Sequence, residues 1–316
     1  MNTHQSGYQA RDHEVIDYHM CDLPGTPFSV RGPLPNFNMP YFVSLGAAQS
    51  FGCFANRPYP SILARELNLP CLNLGFGGVG PEFFLRNKAL LDYINDSLFC
   101  IVQVMSGRSV SNSRCISLGS EYGYDRNDGK RKSTHKIFQA HLNRNFGFYS
   151  SRVGRKIDGL INKACLLSSV LERRDPLMSE TRARWINDYM QLSYFLRVPT
   201  ILFWFSTRQP DYSIRYLSVD SLLGAFPQLV NRKMLDRIRM YYGPYVECIS
   251  SSGLPQHLVN RFTGGPAVCN RGNDRKEFAG TEFSVNHYYP SPEMHEEAAM
   301  AVLSIVKAWS DYLGVH

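Results

Sequence analysis

The sequence has no long apolar run. None of its 316 residues lies in a stretch that reaches the roughly 18 to 20 consecutive apolar residues of a transmembrane helix. The first ten residues are polar and lack the apolar segment of a secretory signal peptide. We therefore expect a chain without a membrane span that remains in the cytoplasm.

Paired cysteines are also missing. The eight cysteines are scattered singly, without a C-x-x-C pair, and several lie in apolar runs, where a thiol behaves as a small hydrophobic side chain. Neither the ligand spacing of a structural zinc nor the size of a disulfide-stabilised domain is present. We expect free thiols and no metal site, with a zinc site or a disulfide framework as the alternative.

The chain has no internal repeat, no low-complexity tract and no RNP, zinc-finger or helix-turn-helix pattern. It does contain 44% apolar and 13% aromatic residues, which is enough for a sizeable core. The net charge of +7 is concentrated between Arg126 and Arg174, where the sequence has 12 Lys and Arg residues and three acidic residues. This excess indicates a solvated helix face or a site for an anionic ligand; nucleic acid, the third alternative, has no motif to support it.

Short apolar segments alternate with segments of helical periodicity. Strands are predicted at residues 41–45, 71–74, 98–105, 200–205 and 245–249, and helices at 60–69, 81–95 and 229–240. A last helix is predicted to begin after Ser291 as N-cap, with Pro292 in its first turn. This alternation is typical of βαβ units, so we expect an α/β domain with a parallel five-stranded sheet.

Two parts of the chain do not fit the alternation. Residues 1–40 are rich in Pro, Gly and Asn and are predicted to be an irregular N-terminal arm. Residues 41–316 are predicted to form a single domain, with an inserted cap of helices and loops at about 113–197, between the third and fourth strands. The basic excess and a tyrosine-rich segment lie in this insertion.

Ligands of open parallel sheets bind outside the carboxyl ends of the strands, where the strand order reverses. Five loops should therefore converge, at residues 46–52, 75–80, 106–112, 206–208 and 286–290. Three short blocks of sequence in or beside these loops resemble blocks of the SGNH (GDSL-type) hydrolase family. Residues 46–52, GAAQSFG, are similar to its G-D-S-L-T-x-G, residues 73–78, NLGFGG, to its N-x-G-x-x-G, and residues 286–290, NHYYP, to its D-x-x-H-P.

The resemblance implies a flavodoxin-like three-layer fold and gives the N–H of Gly78 the role of an oxyanion donor. The residues of the hydrolytic triad are absent, however, because Ala48, Asn286 and Tyr289 stand where the family has serine, aspartate and histidine. Alanine has no nucleophile, an amide does not stabilise an imidazolium as a carboxylate does, and a phenol is a poor base at neutral pH. The chain is therefore not expected to be a Ser-His-Asp hydrolase.

Two further resemblances point to glycans. The order of blocks is similar to that of an uncharacterised bacterial family that keeps G-x-x-x-[TS]-[YF]-G and a later S-N-[RS] without the triad. Residues 46–49 also resemble the G-N-C-Q of a capsular-polysaccharide acetyltransferase family, without its cysteine. These resemblances imply modification of bacterial polysaccharides.

The candidate catalytic residues follow from these loops. His287 or Tyr289 would act on an acceptor hydroxyl, while Asn112 and the Gly78 N–H would hold an oxyanion. The asparagine of the family's third block falls on Ser109 or is shifted to Asn112. Ser50 is either a replacement nucleophile or a structural hydroxyl, and His295 is expected to pack in the last helix.

Arg108 follows a buried strand end and suits an anion clamp, with a solvent-exposed role as the alternative. Gln49 either caps its turn or binds substrate. The candidate substrate-binding residues are Ala48, Gln49, Gly75, Gly78, Arg108, Ser109 and Asn286.

The sequence thus favours a carbohydrate-directed group-transfer enzyme acting on a carbohydrate or another small anionic substrate, with acyl transfer as the expected reaction. The donor would be a coenzyme A thioester, or 3′-phosphoadenylyl sulfate for sulfuryl transfer, and no tightly bound cofactor is expected. The alternative is a pseudoenzyme that binds an acidic or acylated glycan unchanged. The sequence indicates no particular oligomeric state.

Overall fold

A computed structural model describes residues 6–146, 175–211, 223–270 and 282–310 of the chain. Their strands are β1 (Met20–Asp22), β2 (Ser29–Arg31), β3 (Phe42–Gly46), β4 (Cys71–Gly75), β5 (Cys100–Gln103), β6 (Cys115–Ser117), β7 (Tyr122–Asp125), β8 (Arg131–Ser133), β9 (Thr200–Ser206), β10 (Tyr245–Ile249), β11 (Gln256–His257), β12 (Cys269–Asn270), β13 (Glu282–Phe283) and β14 (Val285–Asn286). The helices are α1 (Ser6–Asp12), α2 (Ala48–Phe51), α3 (Tyr59–Glu66), α4 (Pro81–Arg86), α5 (Lys88–Asn95), α6 (Thr134–Phe146), α7 (Pro176–Phe195), α8 (Arg232–Arg239) and α9 (Pro292–Ala308).

The main sheet has seven strands in the order β1-β2-β4-β3-β5-β9-β10. The five strands from β4 to β10 are parallel and coincide with the five predicted segments, whereas β1 and β2 join antiparallel at the β4 edge. The predicted α/β class with a largely parallel sheet is confirmed. The parallel strands read second, first, third, fourth, fifth in chain order.

Both faces of the parallel strands are covered by helices. On one face Val43, Val102 and Trp204 pack with residues of α4, α5, α7 and α8. On the other face Ile101 and Phe203 pack with residues of α3 and α9. Strands that are buried on both faces need apolar residues at almost every position, which explains why these segments are nearly continuous apolar runs.

The helices follow the predicted segments, except that one predicted helix is divided. Ser291 caps α9 as predicted, since its Oγ accepts a hydrogen bond from the N–H of Met294. The segment at 81–95 is not one helix but α4 and α5, separated at Asn87. The Asn87 Nδ2 donates to the carbonyl of Phe83, so a side chain takes an acceptor that a continuing helix would give to a backbone N–H.

The segment predicted as an irregular N-terminal arm contains regular structure instead. It holds α1 and the β1–β2 hairpin, and β2 pairs with β4 through Arg31 and Asn73. Each of these two hairpin strands has three residues, too short for an alternating pattern to be visible in the sequence. The described part of the arm therefore extends the main sheet.

The predicted cap at 113–197 is also shorter than expected where the structure describes it. A small antiparallel sheet of β6, β7 and β8 and the helix α6 form its first part. The last part, α7, is a core helix, because Trp185, Tyr189 and Leu192 are fully buried against the main sheet. Residues 147–174, which carry much of the basic excess, lie outside the described residues.

Candidate functional site

The strand order reverses between β3 and β5, because the chain leaves β3 toward β4 on one side and later returns to β5 on the other. The segments that follow β3, β4, β5, β9 and β10 all leave the same edge of the sheet. Gly80 packs against the backbone of Ser109, and Gly107 donates its N–H to the carbonyl of Gln228 at 2.8 Å. The loops after β4, β5 and β9 are thus in contact at this carboxyl edge.

At the position where the resemblance expects a nucleophilic serine, the chain has a buried alanine. Ala48 is 5% exposed and packs in an apolar cluster with Phe51 and residues from both ends of the chain. Tyr8 of α1 lies between the two other hydrolase blocks, since it packs against Gly77 and its hydroxyl is 3.4 Å from that of Tyr289. The helix α1 therefore packs against the loop after β4 and the segment before α9.

Arg11 fixes α1 in this place. Its guanidinium lies 4.9 to 5.9 Å from the ring centroids of Tyr8, Phe54, Phe283 and Tyr289, within the range of cation–π contacts. It also forms an ion pair with Asp12, which is fully buried. Apart from Tyr289, no sequence pattern pointed to these residues, because the contacts join segments from opposite ends of the chain.

Tyr289 is poorly placed for base catalysis. Burial raises the pKa of its phenol above the ordinary value, and the neighbouring Cys53 adds to the effect. The hydroxyl is thus neutral and faces Tyr8 in the described structure. Asn286 organises the same loop, because its Oδ1 accepts from the N–H groups of Tyr288 and Tyr289 and its Nδ2 donates to Gln256.

Ser50 is held as a structural hydroxyl. It is fully buried, its Oγ lies 2.8 Å from the hydroxyl of Tyr59, and it donates to Oε1 of Gln103 at 2.9 Å. The same Gln103 oxygen accepts from the N–H of Ala47 and so fixes the start of α2. No histidine nitrogen or carboxylate among the described residues accepts a hydrogen bond from Ser50, and it therefore lacks the base that a nucleophile needs.

Asn112, the predicted oxyanion donor, has its side-chain amide engaged within the protein. Its Nδ2 donates to Thr181 on α7, and its Oδ1 accepts from the N–H groups of Arg114 and Cys115. It is 2% exposed. Of the two residues that align with the asparagine of the third block, Ser109 is the one whose backbone contacts Gly80 in the loop after β4.

Two of the three glycines in the second block lie directly against other parts of the backbone. Gly78 has a positive φ of 75° and packs against the backbone of Ser120 and Glu121 at the start of the insertion. Gly75 ends β4 directly beneath α2, where a Cβ would overlap the backbone nitrogen of Phe51. Both are needed for close approach of chain segments.

We expect Gly75→Ala to destabilise the chain by about 2 to 3 kcal/mol, because a backbone cannot yield as a flexible side chain does. Urea unfolding followed by circular dichroism measures this effect. Gly7→Ala is the matched control, since nothing lies within 4 Å of its Cβ position. Equal stability of both variants would contradict the packing of α2 on β4.

The two histidines of the last block have opposite surroundings. His287 is exposed at the carboxyl edge. His295 is fully buried, and its Nδ1 accepts from the N–H of Tyr59. Burial, with a contribution from Arg31, lowers the pKa of His295 to about 3, so it is a neutral packing residue.

Five side chains near the reversal point bury polar atoms without a protein partner among the described residues. One is Nε2 of Gln103, whose Oε1 is engaged at the start of α2. The other four are Oε1 of Gln49, Nε of Arg108, Oγ of Ser109 and Oε1 of Gln228. Gln49, Ser109 and Gln228 are at most 5% exposed, and Arg108 is partly buried. Buried polar atoms are almost always hydrogen-bonded in folded proteins, so a group of exceptions at one edge indicates a missing partner.

Arg108 is the most informative member of this group. Its backbone N–H bonds to Ser106, but its guanidinium forms no hydrogen bond or ion pair with a described residue. Gln228 was not predicted from the sequence; its Nε2 donates to the hydroxyl of Tyr288 at 3.1 Å, which connects the loop after β9 with the last block. We call Gln49, Arg108, Ser109, Gln228 and Tyr288 the edge cluster.

Comparison with known proteins identifies one similar family. A family model described as a domain of unknown function (DUF6473) matches residues 6–115, about a third of the chain. The matched region begins with α1 and includes Gln49, Arg108 and Ser109, but not Gln228 or Tyr288. No curated protein and no solved structure matches the chain.

Within the described ranges, no three His, Cys, Asp or Glu side chains are grouped as metal ligands. The helices among the same residues are too short or too polar to cross a membrane. Seven cysteines are described, all as unpaired thiols, and Cys165 lies outside the described residues.

Proposed function

We propose that the chain is an SGNH-like α/β protein whose carboxyl edge binds an anionic carbohydrate without hydrolysing it. The order of the five parallel strands supports the flavodoxin-like part of this proposal, because 2-1-3-4-5 is the order of that fold. Helices on both faces of the sheet give the three layers that the resemblance implies. The reversal point between β3 and β5 is then the expected ligand position.

The guanidinium of Arg108, which has no partner among the described residues, carries the proposal together with three buried unsatisfied oxygens in segments at the same edge of the sheet. Each buried polar group without a hydrogen bond costs about 1 to 3 kcal/mol. A fold that keeps four of them at a topological reversal point gains nothing for stability. A polar ligand that completes their hydrogen bonds accounts for their presence.

The surroundings of the degenerate triad support binding over hydrolysis. Ala48 lies in an apolar cluster, Tyr8 fills the adjacent space, and Ser50 and Asn112 are engaged in structural hydrogen bonds. Of the predicted set, Ser50 and Asn112 are therefore not free to act as nucleophile and oxyanion donor. We therefore place a glycan-binding role ahead of catalysis.

Group transfer is the second candidate, favoured by the exposed imidazole of His287 beside Tyr288 of the edge cluster. In acyl transfer, His287 would take the proton of an acceptor hydroxyl, which attacks the thioester carbonyl of a coenzyme A donor and releases the thiol. A rise of Tm with coenzyme A would favour transfer, whereas a pure glycan binder responds to sugar alone. His287→Ala should then abolish donor turnover.

A glycan array tests the proposed function. We expect the chain to retain acidic glycans and Arg108→Gln to reduce their affinity about 10- to 100-fold, the loss of one charged hydrogen bond. Arg197→Gln is the matched control, because Arg197 is exposed and lies before β9, at the opposite end of the sheet. Retention by Arg108→Gln equal to that of the control would contradict the proposal.

A further inference from the structure

We infer that the edge cluster recognises a hydroxylated monoanion, namely a sugar unit that carries one carboxylate or one sulfate monoester. The inference rests on the proposed function and specifies the ligand of the same site. It follows from the unpaired atoms alone, because each of them requires a complementary atom on the ligand.

The acceptors define the first requirement. Oε1 of Gln49 and Oε1 of Gln228 are buried oxygens that accept hydrogen bonds but have no donor among the described residues. A ligand that satisfies both must bring at least two donors. The hydroxyl of Ser109 donates or accepts and is compatible with either kind of ligand atom. Neighbouring hydroxyl groups of a sugar supply such donors.

The guanidinium defines the second requirement. Nε of Arg108 is a buried donor without an acceptor, and a guanidinium binds an oxyanion through two parallel hydrogen bonds. The ligand must therefore carry an anionic group within reach of the hydroxyls that bind the two amides. A neutral sugar would leave the positive charge of Arg108 unpaired.

The charge of the ligand follows from the neighbouring arginines. Arg208, after β9, donates to the carbonyls of Ala225, Pro227 and Val230. Arg31 donates to four carbonyls at the end of α2 and in the segment after it. Arg11 is paired with Asp12. Of the arginines named here, Arg108 is the one without a partner among the described residues, and one guanidinium matches a single negative charge better than the two charges of a phosphate monoester at pH 8.

In the ligand-free chain, the buried polar atoms without a partner should lower the stability, so variants that remove them should not lower Tm. Gln49→Met and Ser109→Ala each remove a buried polar atom that has no protein partner, so both variants should have an unchanged or higher Tm. Both should also bind the ligand about 5- to 30-fold more weakly. Gln103→Met is the contrasting control, because Oε1 of Gln103 accepts from Ala47 and Ser50 and its loss should lower Tm.

Isothermal titration at pH 8 with D-glucuronate, glucose 6-sulfate, glucose 6-phosphate and glucose tests the inference on the full chain. We expect D-glucuronate or glucose 6-sulfate to bind at least about 10-fold more tightly than glucose and than glucose 6-phosphate. The more tightly bound of the first two distinguishes a carboxylate from a sulfate ester.

Glucose binding as tightly as the monoanions, or glucose 6-phosphate binding most tightly, would overturn the inference and leave a carbohydrate site in place. Absence of binding by all four sugars, together with an empty glycan array, would refute the proposed function itself. Unchanged affinity of both Gln49→Met and Ser109→Ala for the preferred sugar would show that the edge cluster is not the site.

Discussion

Replacement of Arg31 by methionine is expected to destabilise the chain by about 3 to 5 kcal/mol, the usual effect of removing one partner of a buried charged group. Arg31 is 5% exposed and donates to the carbonyls of Phe51, Gly52, Ala55 and Asn56 at 2.7 to 3.0 Å. These carbonyls lie at the end of α2 and in the segment after it, and they would lose the donors that Arg31 supplies. Chemical unfolding in guanidinium chloride measures the loss.

Arg65→Met is the matched control, because the Arg65 side chain is 60% exposed and pairs with Glu66 on the surface. It should change the unfolding free energy by less than about 1 kcal/mol. Arg31→Lys should lie between the two, since an ammonium group cannot reach all four carbonyls. If Arg31→Met were as stable as Arg65→Met, the loop after α2 would not depend on the N-terminal hairpin.

The chain should lose stability in acid through His295. Its pKa is lowered to about 3 by burial and by Arg31, whereas an unfolded histidine titrates near its ordinary value. Below that ordinary value the unfolded chain binds a proton that the folded chain does not, so stability falls as pH decreases toward 3. Each pH unit in this window costs about 1.4 kcal/mol.

The His295→Asn variant keeps an acceptor near the N–H of Tyr59 but does not titrate. Its unfolding free energy should therefore depend less on pH between 6 and 4 than that of the wild type. The matched control is His287→Asn, which alters an exposed histidine and should retain the wild-type slope. A steep slope in His295→Asn would show that another group causes the acid lability.

The elements that could be predicted from the sequence are those whose signal is local. The five parallel strands are continuous apolar runs because helices cover both faces, and the start of α9 is marked by Ser291 and Pro292. The β1–β2 hairpin and α1 have no such signal. They are stabilised by distant partners, as when Tyr8 meets Tyr289 and Arg31 caps the loop after α2.

Only some residues of the candidate site could be predicted from the sequence. Loop positions at strand ends indicated Gln49, Arg108 and Ser109, because topology alone brings these loops to one edge. Gln228 lies far along the chain from the end of β9, close to the start of α8, and has no motif around it. Asn112 fitted the family pattern, but its contacts with Thr181 and the following N–H groups make it structural. The sequence pattern predicts which loops lie at the carboxyl edge of the sheet. The role of each residue there follows only from its hydrogen-bond partners.

A crystal structure of the chain soaked with D-glucuronate would test the central claim most directly. We predict that a carboxylate oxygen of the sugar lies within hydrogen-bonding distance of the Arg108 guanidinium and that its hydroxyls reach Gln49 and Gln228. A guanidinium of Arg108 that is paired with a protein carboxylate, with the sugar bound elsewhere or absent, would contradict the account.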